Sequence, residues 1–321
     1  MFTGESVDEN GVTRPVVDEI LVAVGGVTKS YAQRVAVEKL TLELRAREIF
    51  GLVGANGGGK TTTLRILAGI LKPETGHGLV LGFDLVSEAG KIRERVGYMS
   101  QRLSLYADLS VFENLRFRAQ VYGSNRPRTA AKIAMDDFEL TKYAGSAAGQ
   151  LSGGWARRLQ LAAALIHSPR LILLDEPTAG LDAVSRHEVW RRIERLAAEG
   201  AGVIVSTHDL AEAERCSNAA LLSAGRIVAA GTPEQIARST SADAFLLSGA
   251  DARELARLVE ALPGVIATYP QGPSLRVVAH RAAEESLCRV ASINHAGVSR
   301  VPMQLEDAVL ASSKRCSGSG V

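Results

Sequence analysis

Short continuous apolar runs at residues 49–53, 171–174 and 203–205 recur between stretches of helical spacing, from about Leu21 to Pro233. Runs of this length without alternation mark strands buried on both faces. Interleaved with helices, they predict an α/β fold on a largely parallel sheet, which binds ligands at the C-terminal ends of its strands. Residues 1–18 are polar, lack any hydrophobic period and read as a loose tail.

The pattern changes after about Ser241. Asp251 and Glu254 form a capping pair, Leu255, Leu258, Val259 and Leu262 recur at helical spacing, and Pro263-Gly264 stops the helix. Strand-like segments 265–268 and 274–278 flank the turn Pro270-Gln271-Gly272-Pro273. A helix over about 282–295 and a strand near 298–301 complete a small βαββαβ unit. The expected organisation is a tail over 1–18, an α/β domain over 19–240, and a small α+β domain over 241–321.

Composition narrows the class only modestly. With 46% hydrophobic and 22% charged residues the chain can bury a proper core, and 37 Lys and Arg against 35 Asp and Glu make no electrostatic case for nucleic acid. Cys216, Cys288 and Cys316 form no C-x-x-C pair, which argues against a disulfide framework or a zinc site and fits a reducing cytoplasm. No apolar run approaches the roughly 20 residues needed to cross a bilayer, and the N-terminus is not signal-like.

The chemistry sits in the motifs. Gly54-Ala55-Asn56-Gly57-Gly58-Gly59-Lys60-Thr61 is a P-loop between an apolar strand and a helical run that opens at Thr62. Its glycines let backbone N–H groups turn toward phosphates, the helix dipole adds positive potential, Lys60 reaches the β- and γ-phosphates, and Thr61 offers a hydroxyl to Mg²⁺. A second apolar strand, 171–174, delivers Asp175 as a magnesium ligand and Glu176 as a general base for the attacking water. Between these elements stands Leu151-Ser152-Gly153-Gly154-Trp155, opening another helical run over 156–167.

In this order and spacing the chain resembles the ABC ATPase family, over about residues 21–236. The resemblance implies a P-loop NTPase of ABC type, with a mixed-sheet core and a helical subdomain over about 102–150. Ser152, Gly153 and Gly154 then complete the ATP site of an opposite subunit. One P-loop and one such turn per chain imply a two-fold homodimer, or a heterodimer with a second ABC ATPase, closed around ATP.

Further residues take roles only through the resemblance. Tyr31 is placed as the aromatic that stacks on adenine, although alone it reads as an ordinary strand-end tyrosine. Gln101 contacts Mg²⁺ and the attacking water, Asp182 lies in the turn that crosses the dimer interface, and His208 reaches the γ-phosphate. Trp155 in place of the common glutamine, together with residues 96–115 and 227–233, is similar to the multidrug and antibiotic efflux branch, the daunorubicin-resistance-like ATPases. Arg47 stands where a turn glycine is frequent, and Ala55 where proline is.

Members of that branch pair with a separate integral membrane permease, so the resemblance implies an ATPase on the cytoplasmic face of the cell membrane that powers export of a drug or other hydrophobic compound. Residues 305–310 resemble the ending of such subunits, and equally read as a short helix packing on its own domain. Lipid or polysaccharide export is the alternative within transport. A soluble DNA-repair or translation ATPase needs a long coiled coil between P-loop and signature, or two ATPase domains, and the sequence has neither.

Overall fold

The computed structural model describes residues 6–7, 13–14, 19–32, 34–249 and 251–317. The chain divides into two compact units, residues 1–209 with 224–226, and residues 210–223 with 227–321. The tail expected over 1–18 lies outside the described residues apart from β1 (Ser6–Val7) and β2 (Thr13–Arg14), which pair antiparallel.

In the first unit, β3 (Ile20–Tyr31) and β4 (Arg34–Arg45) precede β5 (Ile49–Val53), α1 (Lys60–Leu67), β6 (Thr75–Val80), β7 (Phe83–Asp84), α2 (Ala89–Arg95) and β8 (Val96–Met99). There follow α3 (Val111–Val121), α4 (Pro127–Asp137), α5 (Gly153–Leu165), β9 (Leu171–Asp175), α6 (Ala183–Ala198) and β10 (Gly202–Thr207). Strands β5, β10, β9 and β8 lie side by side in that order, all parallel. Every residue of β5, β9 and β10 is buried, which is why these strands read as unbroken apolar runs.

The expectation of a largely parallel sheet needs correction over residues 20–84. There β4, β3, β6 and β7 form a separate antiparallel sheet. Buried Leu40, Leu42 and Leu44 alternate along β4 with exposed Thr41 and Glu43, as a sheet with one solvated face requires. Between β8 and β9, α3 is started by a reciprocal capping box of Ser110 and Glu113, and packs on α4 and α5.

The second unit runs through α7 (Leu210–Ala213), β11 (Asn218–Ser223), β12 (Arg226–Gly231), α8 (Pro233–Arg238), β13 (Ala242–Ser248) and α9 (Ala252–Glu260). It continues with β14 (Val265–Gln271), β15 (Ser274–His280), α10 (Glu284–Ile293), β16 (Gly297–Val301) and α11 (Leu305–Ser317). The sheet order β14-β15-β13-β16 is antiparallel throughout. One face packs Phe245, Leu247, Leu275 and Val277 against Leu255 and Val259 of α9 and Leu287 of α10. The other face carries Ile266 and Val278 with Ala311 of α11.

Asp251 caps α9 by accepting the Arg253 N–H at 2.8 Å, while Leu258, at a core position of the expected helical face, is 44% exposed. Within this unit α11 packs on α8 and β11 as well as on the sheet.

Candidate active site

The P-loop leaves β5 at Val53 and enters α1 at Lys60. Gly59 caps α1 with a φ of 104°, and a Cβ there would lie 2.4 Å from the Ala36 carbonyl oxygen, so no other residue fits without moving backbone. Lys60 is 5% exposed and donates from Nζ to the Gly54 and Ala55 carbonyls at 2.7 and 3.2 Å. Burial lowers its ammonium pKa, and the charges of Glu176 and Asp175 oppose that shift. Ala55, Asn56 and Gly57 form the exposed arch of the loop, with Gly58 buried beneath it, and half-buried Thr62 sits in the first turn of α1.

Tyr31 closes β3 opposite Arg34 and is 47% exposed, with the Lys29 ammonium 5.9 Å from its ring centroid. Arg34 donates to the Gly57 carbonyl at 3.1 Å, which ties the Tyr31 hairpin to the phosphate loop. No motif or periodicity singles out Arg34.

Asp175 and Glu176 emerge from β9 beside β10, in register with Ser206. Thr61 Oγ1 donates to Asp175 Oδ1 at 3.1 Å, and Ser206 Oγ donates to the same oxygen at 2.6 Å. The Ser206 hydroxyl also accepts the Glu176 N–H at 3.0 Å, so one buried side chain fixes both acids. Glu176 is 7% exposed and holds a left-handed φ of 48°, a conformation that costs a non-glycine residue on the order of 1 kcal/mol or more.

Around its carboxylate stand Lys60 Nζ at 3.7 Å, His208 Nδ1 at 3.3 Å and Gln101 Nε2 at 3.5 Å. Lys60, Thr61, Gln101, Asp175, Glu176 and His208 therefore converge where three adjacent parallel strands end. Ser206 was missed, although a polar residue inside an otherwise apolar buried strand was the available signal.

Asp175 Oδ2 is buried and has no hydrogen-bond partner. An orphaned carboxylate oxygen beside a threonine hydroxyl suits a hard divalent cation whose remaining ligands are phosphate oxygens and water. Among the described residues, no group of three or more His, Cys, Asp and Glu could hold a metal unaided.

A second cluster is formed by Ser152–Gly154 at the start of α5 and Asp182 at the start of α6. Ser152 occupies the N-cap of α5 with an extended backbone, yet its hydroxyl makes no capping bond. Ser152 and Gly153 are exposed, which leaves the hydroxyl and the first N–H groups of α5 to an external acceptor.

A Cβ on Gly154 would sit 3.4 Å from Ser185 Oγ, and that hydroxyl donates to Asp182. Asp182 also caps α6 through the Val184 and Ser185 N–H groups, and these bonds, led by Ser185, lower its carboxyl pKa. Trp155 lies against Tyr143 at 4.7 Å between ring centroids, with Lys142 and Arg158 each 4.6 Å from its ring. Arg47 takes a left-handed φ of 68° at its glycine-like position, where its guanidinium donates to the Ala198 carbonyl at 2.8 Å.

The "ABC transporter" family model matches residues 37–179. The chain is 38% identical over 227 residues to the probable multidrug ABC transporter ATP-binding protein YbhF of Escherichia coli, covering 70% of this chain but only 39% of YbhF. It is 38% identical to a Nod factor export ATP-binding protein I of Cupriavidus metallidurans, over 67% of this chain and 72% of that one. With the daunorubicin resistance ATP-binding protein DrrA3 of Streptomyces coeruleorubidus it shares 35% identity over 75% of this chain and 78% of DrrA3.

Among solved structures, the dimeric ATP-binding cassette MJ0796, captured after hydrolysis with ADP and Pi, superposes with a TM-score of 0.62 at 26% identity, over 66% of this chain and 98% of that chain. Fold, motif order and relatives agree: the chain belongs to the ATP-binding proteins of the ABC transporter family.

Proposed function

We propose that the chain is the ATP-hydrolysing subunit of an exporter, docked on the cytoplasmic face of a membrane against a separately encoded permease. The observation that carries this reading is the convergence of Lys60, Thr61, Asp175, Glu176, Gln101 and His208 at the ends of β5, β9 and β10. The P-loop N–H groups and Lys60 hold the β- and γ-phosphates, and Tyr31 stacks on adenine. Thr61, Asp175 and Gln101 hold Mg²⁺, which when bound neutralises charge on the transferring phosphoryl group.

Glu176 accepts a proton from the attacking water, and His208 and Lys60 steady the γ-phosphate oxygens. The exposed Ser152–Gly154 turn, with Asp182, faces the nucleotide of a second subunit, so two chains close around ATP and separate after hydrolysis. The dimeric relative supports that assembly.

Outward-facing Leu103, Tyr106, Phe117 and Val121 belong to the helical subdomain over about 102–150, where Tyr106 and Phe117 meet edge to face at 5.1 Å. This apolar surface is the docking site for permease helices. No helix among the described residues is long and apolar enough to cross a membrane. The cargo is a drug or other hydrophobic compound, in line with the relatives named for multidrug transport and daunorubicin resistance. Export of a lipid-linked or saccharide compound is the second reading, favoured by the relatives named for Nod factor export. Residues 241–321 act as an accessory domain, 19–240 as the ATPase.

Affinity purification of the tagged protein from detergent-solubilised membranes, with mass spectrometry of what is retained, tests this. A multi-spanning protein in near-equal amount is the expected result. Ribosomal or DNA-bound proteins without a membrane partner would overturn it.

A further inference from the structure

Two consecutive carbonyls of the phosphate loop are held from outside it. Arg34 Nη2 donates to the Gly57 carbonyl at 3.1 Å, and the Gly225 N–H donates to the Gly58 carbonyl at 3.2 Å. Gly225 lies in the turn 224–226 between β11 and β12, and those three residues belong to the first unit. The Gly225 carbonyl in turn accepts the Glu38 N–H of β4 at 2.8 Å. Beside it the Arg226 guanidinium grips the Glu38 carboxylate with two bonds, Nε to Oε2 at 2.7 Å and Nη2 to Oε1 at 2.6 Å.

The approach is close enough to require special backbone. Ala224 and Gly225 take left-handed φ values of 47° and 83°. A Cβ on Gly225 would sit 2.9 Å from the Ala36 carbonyl oxygen, the same atom that a Cβ on Gly59 would meet at 2.4 Å. Strand β4, the phosphate loop and the turn therefore meet backbone to backbone. Charge reinforces both anchors, because a guanidinium is a stronger donor than a neutral group and a bidentate pair fixes geometry. The Arg226 guanidinium accordingly holds the Glu38 carboxyl below the usual carboxylate range.

In a trans peptide the carbonyl of one residue and the N–H of the next point in opposite directions. Anchoring the Gly57 and Gly58 carbonyls from outside turns the Gly58 and Gly59 N–H groups to the inner side of the loop. The Gly58 N–H donates across the arch to the Ala55 carbonyl at 3.1 Å. N–H groups of such a loop must face phosphate, and unanchored glycine peptides rotate freely.

We infer that Arg34, Glu38 and Arg226 are positioning residues that preset the phosphate loop for nucleotide through the Gly57 and Gly58 carbonyls, without touching the nucleotide themselves. The inference rests on the ATP-binding reading and extends it to residues outside the loop. A loop preset before binding serves ground state and transition state alike, so these residues set affinity and leave the chemical step unchanged. ATP and ADP, which share the phosphates nearest the loop, are affected together.

The test uses the full chain with Arg34→Ala, Arg34→Lys, Glu38→Ala, Arg226→Ala and the double variant Glu38→Ala, Arg226→Ala, each checked for folding by thermal melting. Readouts are the dissociation constants of N-methylanthraniloyl-ATP and N-methylanthraniloyl-ADP, with KM and kcat for ATP. Each alanine variant is expected to weaken both nucleotides about three- to tenfold and to raise KM in step, with kcat at saturation within about twofold of wild type. Arg34→Lys recovers part of the loss, since an ammonium still donates to a carbonyl. The double variant is no weaker than Arg226→Ala, because both residues act through one turn.

A purely structural role would lower melting temperature and active fraction while leaving affinity and KM of the folded protein unchanged, and that result would overturn the inference. So would a fall in kcat at unchanged affinity, or a loss confined to ATP in Arg34→Ala, which marks direct contact with the γ-phosphate. If Arg226→Ala does not fold, Arg34→Ala and Glu38→Ala decide by the same criteria. A wild-type chain that binds neither nucleotide would overturn the underlying reading and this inference with it.

Discussion

Replacing Ser206 by alanine removes one hydroxyl that two acidic residues share. Ser206 is fully buried, donating to Asp175 Oδ1 at 2.6 Å and accepting the Glu176 N–H at 3.0 Å. A hydrogen bond to an ionised carboxylate is worth about 1.5–3 kcal/mol, and the void left by one oxygen is small. The Glu176 N–H keeps a second acceptor in the Ser206 carbonyl at 3.2 Å, so that side of the loss is partly compensated.

The expected cost is about 2 kcal/mol of stability in the first unit, which lowers its melting temperature by roughly 4–8 °C. Catalysis should fall further, because Glu176 loses a restraint on its strained backbone, and displacement by a fraction of an ångström costs on the order of tenfold in kcat. Differential scanning calorimetry and steady-state hydrolysis at saturating ATP and Mg²⁺ measure the two effects. A Ser206→Ala protein with an unchanged melting temperature and a kcat within twofold of wild type would refute the reasoning.

His167 stacks on Tyr122 with ring centroids 3.7 Å apart, and burial pushes its pKa down from 6.5 to about 4. The unfolded chain therefore binds the proton first, so stability is full above about pH 6.5, falls as pH drops toward 4, and loses about 3 kcal/mol in all. Urea midpoints for wild type and His167→Phe, which keeps the stack, should differ in slope across that window, and equal slopes would exclude His167 as the cause.

In the second unit, Asp307 is fully buried and accepts from Arg276 Nη2, Tyr269 Oη and the Gln304 N–H, each at 2.7 Å. Asp307→Ala strands the Arg276 cation and should cost about 3–5 kcal/mol, while the double variant Arg276→Met, Asp307→Leu recovers most of it. Equal losses by the single and double variants in denaturant melts would contradict that account.

The site was legible where chemistry and burial wrote the same pattern. Strands β5, β9 and β10 are buried on both faces, so their apolar runs located the acids, the phosphate loop and His208 together. The antiparallel sheet was hidden because β3 contains Gly25-Gly26 and several register shifts, which break the alternation that a one-sided strand should show. Pro270 read as the start of a turn, yet β14 continues through it, because an edge strand need not donate from every N–H.

Ser206 and Gln160 escaped notice because their importance lies in partners distant in sequence. No periodicity announces Gln160, whose amide donates to the Ser100 and Arg102 carbonyls 60 and 58 residues away. Trp155 was conspicuous as a departure, but its packing on Tyr143 and its two cationic neighbours emerge only from the folded chain.

The most direct test of the ATP-hydrolysis claim is steady-state turnover by Glu176→Gln beside wild type, with the ATP-bound oligomer followed by size-exclusion chromatography. The account predicts turnover at background, with retained ATP binding and accumulation of a dimer. Wild-type rates of hydrolysis by the Glu176→Gln protein would contradict it.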